Sequence, residues 1–599
     1  MSATRDGGPL GYIARDPGRA LLLCALLAAA VVYAPTLGRG IVNYDDTWLI
    51  RDNHILQRPS LHAVRTVWFD LYSQRRFELT PEYLPIRDLS VMLDFALWGH
   101  HYGGFHLTNI LIYLLAIAIW FFALAAWGIR RWICGVAVLI WALHPSHAES
   151  VAWLSERKGL LAMMFGGLCL LCYAKFRTGR SAWYLAAATV AGVLAVWSKA
   201  PGAFVVAAIA GLELVVPGRR SWRRSILGLG TVGATTALAF MPVLMLALRW
   251  SIVGNGSLQP ASRLAMVTGV HGLYLRLGAM WVPNAVSYSL ATDGPGWLDI
   301  VIGAIGMAAV IAVIALRTPV WSPSPALRAA AMIWLCGWLP VSHVILPLRM
   351  VFVADRYLLF PTLGLALAVA VAISQLQSRS ARAALCAAIA VAAGFRTLDA
   401  SESWRSAESL WERAVASNPN DGNAWSAYLD ALEEAGHTDR VDRAILEGLQ
   451  HTTSPRLVMH DALMWLRSGN RAKGIARMTD AAGDGEPRAM ANLALLLLAD
   501  RRVDEALVWA RLATLTHPGY VPAHRARGKV ALAAKKLDEA HAAFARAYDL
   551  EPESAGNRLN LALVLAQLGH TGEARPLLEA CVDDSEVGPR ARALLRALE

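Results

Sequence analysis

Apolar runs recur along the first two thirds of this 599-residue chain, and they constrain its fold more than any other feature. They fall near residues 18–36, 106–127, 131–143, 160–176, 182–198, 201–216, 226–249, 297–316, 328–346, 357–376 and 382–398. Several reach the roughly 17 to 25 residues that carry a helix across a bilayer core. With 56% hydrophobic residues the chain is too apolar for a soluble protein, and it is too long for one domain. The pattern predicts an all-α protein: a polytopic membrane bundle of about eleven spans over residues 1–400, then a more polar helical domain over 401–599.

Basic residues punctuate the runs. Arg130 and Arg131; Lys175, Arg177 and Arg180; Arg219, Arg220, Arg223 and Arg224; Arg317 and Arg328; and Arg379 and Arg382 alternate with less basic loops. This is the spacing of the positive-inside rule, which places them in the cytoplasm. It accounts for the net charge of +11 without nucleic acid as a partner. An odd number of spans puts the N-terminus in the cytoplasm and the C-terminal domain outside. A span at 268–288 would carry Arg317 and Arg328 outside. That segment, with His271, Arg276, Pro283 and Asn284, is therefore expected to be interfacial or re-entrant. Arg5, Arg15 and Arg19 precede the first run, read as an uncleaved span rather than a signal peptide. The seven cysteines give no disulfide framework or zinc spacing, and Cys169 and Cys172 fall inside an apolar run.

The polar tail repeats. Ala494, Gly528 and Ala562 are 34 residues apart, as are Ala506, Ala540 and Ala574, and Ala513, Ala547 and Cys581. Pro518 and Pro552 keep the same period. Small residues at those offsets let two antiparallel helices pack closely, and the period is that of a tetratricopeptide repeat. From Trp404 to Gly485 the pattern is degenerate but helical, so atypical repeats are expected there, because a solenoid needs several units to bury its core. Such a surface serves either as a partner-binding face or as a packing platform.

The expected topology gathers on the outer side the loop 37–105, the HPSHAESVAWLSERKG loop, the WSKAPG turn and LPLRMVFVADRY. Ionisable groups at membrane depth mark a cavity or a site. Asp45 and Asp46 stand just after the first run, where a carboxylate can act as general base toward an acceptor hydroxyl. A loop-turn role is the plainer alternative for either one. Arg157, Lys158, Lys199 and Arg356 are candidates to hold a phosphate, with interfacial snorkelling as their alternative. Arg87, His106, Asn109, His144, His147 and Glu149 are candidates to shape the site, and helix-packing hydrogen bonds are the alternative for His106 and Asn109. The His144, His147 and Glu149 spacing matches no zinc signature, so no metal ligand set and no covalently bound cofactor is expected. A carboxylate pair, a cation cluster and no nucleotide-phosphate loop suit an enzyme whose donor is a lipid-linked phosphate in the membrane.

These residues carry a resemblance. VNYDDTWLIRDNHIL, YLPIRDLSVMLD with GGFHLTNILIY, HPSHAESVAWLSERKGLLAMMF, WSKAPG and ADRYLLFP, followed by the repeats, resemble the transmembrane and tetratricopeptide-repeat (TMTC) proteins. That family lies within the GT-C class of polyprenyl-phosphate-sugar-dependent glycosyltransferases. The resemblance implies an inverting transfer of a sugar, mannose foremost, from a polyprenyl- or dolichyl-phosphate carrier to a serine or threonine hydroxyl of an exported protein. It implies that Asp45 and Asp46 supply the base and its partner, and that the repeats receive the acceptor polypeptide. Where the family commonly has YRPL, this chain has YLPIRDL, so the arginine role falls on Arg87. Its Ala- and Arg-rich composition points to a bacterial inner membrane with the repeats on the periplasmic side. A membrane-anchored scaffold for envelope assembly and a transporter of the lipid carrier are the rival readings.

Overall fold

The computed structural model describes residues 16–71, 79, 82–216, 221–249, 260–280, 284–288, 294–318, 322–344 and 353–598. Arg5, Arg15, Arg219, Arg220, Pro283 and the LPLRMVF stretch lie outside them. The described residues form helices and connecting turns with no strand, the expected all-α class. They divide into two compact units, Met1–Asn418 and Pro419–Glu599.

In the first unit most apolar runs become helices close to their expected bounds, among them Pro17–Tyr33, Tyr102–Ala126, Arg131–Ala142, Arg157–Arg177, Trp183–Ser198, Phe204–Val215, Trp297–Ala315, Pro325–Trp338, Pro361–Ser374 and Arg379–Glu402. Six helical segments among the described residues are long and apolar enough to cross a membrane. Others are shorter: Arg131–Ala142 has 12 residues, or roughly 18 Å of helix, against a hydrocarbon core of about 30 Å.

The segment expected to be re-entrant contributes to a full helix, Pro260–Gly278, packed along Trp297–Ala315. Glycine makes that packing possible. A Cβ on Gly272 would lie 1.9 Å from the Asp299 carbonyl oxygen, and one on Gly303 would lie 1.7 Å from that of Thr268, so the two backbones touch. The polar residues of this segment are satisfied within the bundle. Arg276 pairs with Asp299 at 2.7 Å, and the His271 ring bonds the Gly303 carbonyl at 2.9 Å and the Trp334 indole at 3.0 Å.

The second unit is a run of helical hairpins. Their first helices begin at Gly422, Pro455, Pro487, Val521 and Ala555, at intervals of 33, 32, 34 and 34 residues. The degenerate region is therefore built like the regular one. Ala494, Gly528 and Ala562 are buried, as are the other two small-residue series. Each first helix ends with one residue in the left-handed region: Gly436, Gly469, Arg501, Lys535 and Gly569. Glycine at the first, second and fifth of these positions takes that conformation without a Cβ penalty, whereas Arg501 (φ 60°) and Lys535 (φ 58°) do not.

Candidate functional site

The loop after the first helix is fastened by Asp46. One of its carboxylate oxygens accepts from the Ser155 backbone N–H at 3.0 Å and from the Ser155 hydroxyl, and the other accepts from the Val42 N–H at 3.2 Å. The residue is 1% exposed, and burial pushes its carboxyl up to about 6. Asp45, its neighbour, is held differently. It lies beside the Trp48 indole, with Lys158, Arg356 and Glu82 as the charges acting on it. Burial raises its pKa, and the two cations pull it back.

Two cations act on Asp45, Lys158 and Arg356, and a third, Lys199, joins them through Glu156. Lys158 donates to Glu82 at 2.8 Å. Burial pushes the Glu82 carboxyl up, but Lys158 outweighs it and brings it down to about 2. Lys199 pairs with Glu156, and its ammonium lies 5.8 Å from the Tyr357 ring centroid. Burial lowers the Lys199 pKa, and Glu156 opposes the shift. Arg356 pairs with Glu149, whose other oxygen accepts from the Arg356 backbone N–H at 2.7 Å, and its guanidinium lies 3.9 Å from Glu156 and 5.4 Å from the Trp153 ring centroid. Burial works against the charge on Arg356, yet Glu149 drives its pKa well up.

Glu156 is thus the hub between two cations, and it has room because residue 159 is glycine: a Cβ there would meet the Glu156 carboxylate at 2.6 Å. Beside the cluster, Trp153 stacks on Trp404 at 5.3 Å and Tyr44 packs on both, at 4.9 and 6.4 Å. A small cleft next to them is lined by Glu149, Asn284, Asp355, Ser403 and Trp404. Asp355 accepts from Asn284 at 2.8 Å and from the Tyr288 hydroxyl at 2.5 Å. Burial, reinforced by Glu149, drives its carboxyl well up.

The structure brings together Asp45, Lys158, Lys199, Arg356 and Glu149, with Asp46 and Arg87 at the margin. It does not bring Arg157, expected at the donor phosphate, into the same cluster. The Arg157 guanidinium is 1% exposed in side chain and committed to Asp94, to the Asn109 side chain at 2.6 Å and to the Phe105 and Ser90 carbonyls at 2.9 and 3.3 Å. Asn109 completes that knot by donating to the Val151 carbonyl at 3.3 Å. Arg87 is buried against Asp88 and the Leu79 carbonyl.

The histidines pack helices. His106 reaches the Gly40 carbonyl at 3.3 Å. His144 bonds Ser146 at 2.7 Å and the Gly278 carbonyl at 3.0 Å, and His147 bonds the Tyr113 and Thr362 hydroxyls at 2.7 and 2.9 Å. Burial pushes His144 down to about 4 and His147 well below its ordinary value, so both rings are neutral. Among the described residues no group of His, Cys, Asp or Glu is arranged to hold a metal ion. Sequence reasoning passed over Glu82, Glu156, Asp355 and the Tyr44–Trp153–Trp404 wall. Glu156 lies within the SERK run, and its position between two singled-out loop charges was the available signal.

Fold and site define a class: a helical protein with membrane-crossing apolar segments, a tetratricopeptide-type solenoid and a buried charge cluster in the loops. The tetratricopeptide repeat family model matches residues 531–598. The chain is similar to the protein O-mannosyl-transferase TMTC2 of Mus musculus, 30% identical over 183 residues, which is 29% of this chain and 21% of that one. It is also similar to the protein O-mannosyl-transferase Tmtc3 of Drosophila melanogaster, 28% identical over 184 residues, covering 27% and 20% of the two chains. The similarity thus spans about a fifth of the length of these curated relatives. Among solved structures, the Archaeoglobus fulgidus oligosaccharyltransferase superposes with a TM-score of 0.39 at 14% identity, over 69% of this chain and 58% of that one. The resemblance to the transmembrane and tetratricopeptide-repeat proteins holds over these stretches.

Proposed function

We propose that the chain is a membrane glycosyltransferase that moves a sugar, mannose in the first instance, from a polyprenyl-phosphate carrier to a serine or threonine hydroxyl of an exported protein. The observation that supports it best is a carboxylate, Asp45, within the electrostatic reach of the cations Lys158 and Arg356, next to a carboxylate, Asp46, that Ser155 and Val42 hold in place. The protein O-mannosyl-transferase relatives support the same reading.

In this mechanism Asp45 takes the proton from the acceptor hydroxyl as its oxygen attacks the anomeric carbon from the face opposite the carrier. The bond between that carbon and the phosphate oxygen breaks, and the phosphate leaves with the electron pair. Lys158, Lys199 and Arg356 stabilise the charge that develops on it. Burial, by raising the Asp45 pKa, makes it a stronger base than an exposed aspartate. Asp46 positions the loop and Arg157 the helix that carries Lys158. Inversion at the sugar follows from a single displacement. The repeats bind the acceptor polypeptide, the membrane is the bacterial inner membrane, and the repeats lie on its periplasmic side.

Purified full-length protein, given polyprenyl-phosphate mannose and an exported-protein acceptor, is expected to add one hexose to serine or threonine, read by mass spectrometry. Persistent absence of product with folded protein would count against transfer. A membrane-anchored scaffold is the second reading, favoured by the repeat match at 531–598. Neutralising Asp45, Lys158 and Arg356 together abolishes transfer in the first reading and leaves partner capture by pull-down intact in the second.

A further inference from the structure

Helix Pro325–Trp338 has one end near the candidate site and one end far from it. At its C-terminal end a Cβ on Gly337 would lie 2.9 Å from the backbone nitrogen of Pro361, a few residues after Arg356. At its other end, nine residues back and so roughly 14 Å along the axis, stands Arg328. This residue is 7% exposed, yet its buried Nε and Nη1 have no hydrogen-bond partner. Among the described residues no carboxylate pairs with it, and the charge that acts on it is Arg317, of like sign. The helix packs against Phe204–Val215, Pro361–Ser374 and Trp297–Ala315, whose Asp299 is taken by Arg276. The acid on the first of these, Glu213, is engaged by Arg177 at 3.2 Å and by the Tyr173 and Ser225 hydroxyls, each at 3.0 Å.

Guanidinium N–H groups screened from water with no acceptor are costly, because they have lost hydration and gained nothing in return. Two further features add positive potential. An arginine on a helix leans toward the N-terminus, and Arg328 lies in the first turns of this 14-residue helix, where the peptide dipoles favour negative charge. Arg317 follows the end of the membrane-crossing helix Trp297–Ala315, whose apolar window is 6% buried within the protein and so faces lipid. In the membrane reading the exposed Arg317 therefore stands at the bilayer edge beside Arg328.

We propose that Arg328, assisted by Arg317, binds the phosphate of an anionic membrane lipid at the end of the bundle remote from the Asp45 cluster. The site supplies unpartnered guanidinium N–H donors to the phosphate oxygens and a second cation at the rim. Phosphatidylglycerol meets that requirement. Zwitterionic phosphatidylcholine, whose phosphate is neutralised by its own ammonium, meets it poorly. The inference needs the membrane reading of the chain but not the transferase reading.

Full-length protein in uncharged detergent, titrated by native mass spectrometry with phosphatidylglycerol, phosphatidylcholine and inorganic phosphate, tests it. Phosphatidylglycerol is expected to bind most tightly. Arg328→Gln is expected to weaken it at least about tenfold, the size of a lost hydrogen bond to a charged group, and Arg328→Lys to keep most of the affinity. If Arg328→Gln does not fold, Arg317→Gln carries the test. That residue is exposed, and its loss is expected to weaken lipid binding roughly fivefold. Unchanged phosphatidylglycerol affinity in the Gln variants overturns the proposal. Equal binding of inorganic phosphate or of phosphatidylcholine overturns the lipid assignment.

Discussion

Helices in residues 419–599 pack through residues of almost no size, whereas the segments around the candidate site are tied together by buried charge. In the solenoid the contact residues are Ala494, Ala506, Ala513 and their counterparts 34 and 68 residues on. At the site they are Asp46 with Ser155, Glu149 with Arg356, Lys158 with Glu82 and Lys199 with Glu156, separated by 109, 207, 76 and 43 residues. The first arrangement repeats and tolerates local variation, because each hairpin needs only its neighbours. The second occurs once, and each member depends on a partner brought from far along the chain. In the fully enclosed pairs, loss of one partner leaves the other charged and dry.

The contrast breaks most sharply at Arg157. Arg157→Ala strands Asp94 in the interior and is expected to cost about 3–5 kcal/mol of stability, seen as a large drop in thermal midpoint in detergent. Lys158→Ala, whose partner Glu82 is 39% exposed in side chain, is expected to cost about 1 kcal/mol or less while lowering transfer. If the two variants melted alike, the division between a positioning arginine and a donor-facing lysine would fail.

A pH series separates two buried residues, one in each unit, that respond with opposite sign. His460, on the solenoid helix Pro455–Arg467, faces Asp430, Glu433, Arg456, Arg467 and Arg488, and burial pushes it down to about 4. The unfolded ring takes up its proton first. Its contribution to stability is therefore whole above pH 6.5 and is lost as pH falls toward 4, on the order of 1–3 kcal/mol. Asp46 is raised to about 6. The folded carboxyl holds its proton longer, so its contribution is whole below pH 3.8 and is lost as pH rises through 6. Full-length His460→Gln should flatten the acid arm of a stability–pH curve, and Asp46→Asn the arm from pH 4 to 6. Curves parallel to wild type would refute the assignments.

Smaller effects belong to the solenoid. Gly528→Ala places a Cβ 2.4 Å from the Phe544 ring and is expected to cost about 1–3 kcal/mol by chemical denaturation. Arg501→Gly and Lys535→Gly relieve left-handed backbone and are each expected to add about 0.5 kcal/mol. A loss of stability in both would show that their side chains matter more than their φ.

How much could be read beforehand follows the same division. The apolar runs and the 34-residue period reappear as helices within a few residues, because both patterns are local. The helix Pro260–Gly278 was hidden by His271 and Arg276, whose partners Gly303, Trp334 and Asp299 lie on other helices. The charges of the HPSHAES–SERKG loop could be picked out as unusual, but residue type alone could not separate Arg157, enclosed by Asp94 and Asn109, from Lys158 one position on. The role of Glu156 depends on Lys199 and Arg356, which no spacing rule connects to it.

In the proposed mechanism Asp45, near Lys158 and Arg356, is the base. The most direct measurement of that role is the initial rate of sugar transfer from a polyprenyl-phosphate donor by purified Asp45→Asn, with folding checked by its thermal midpoint. The expected outcome is a wild-type melting profile with transfer reduced about 10²- to 10⁴-fold. A folded Asp45→Asn protein that transfers sugar at the wild-type rate would contradict it.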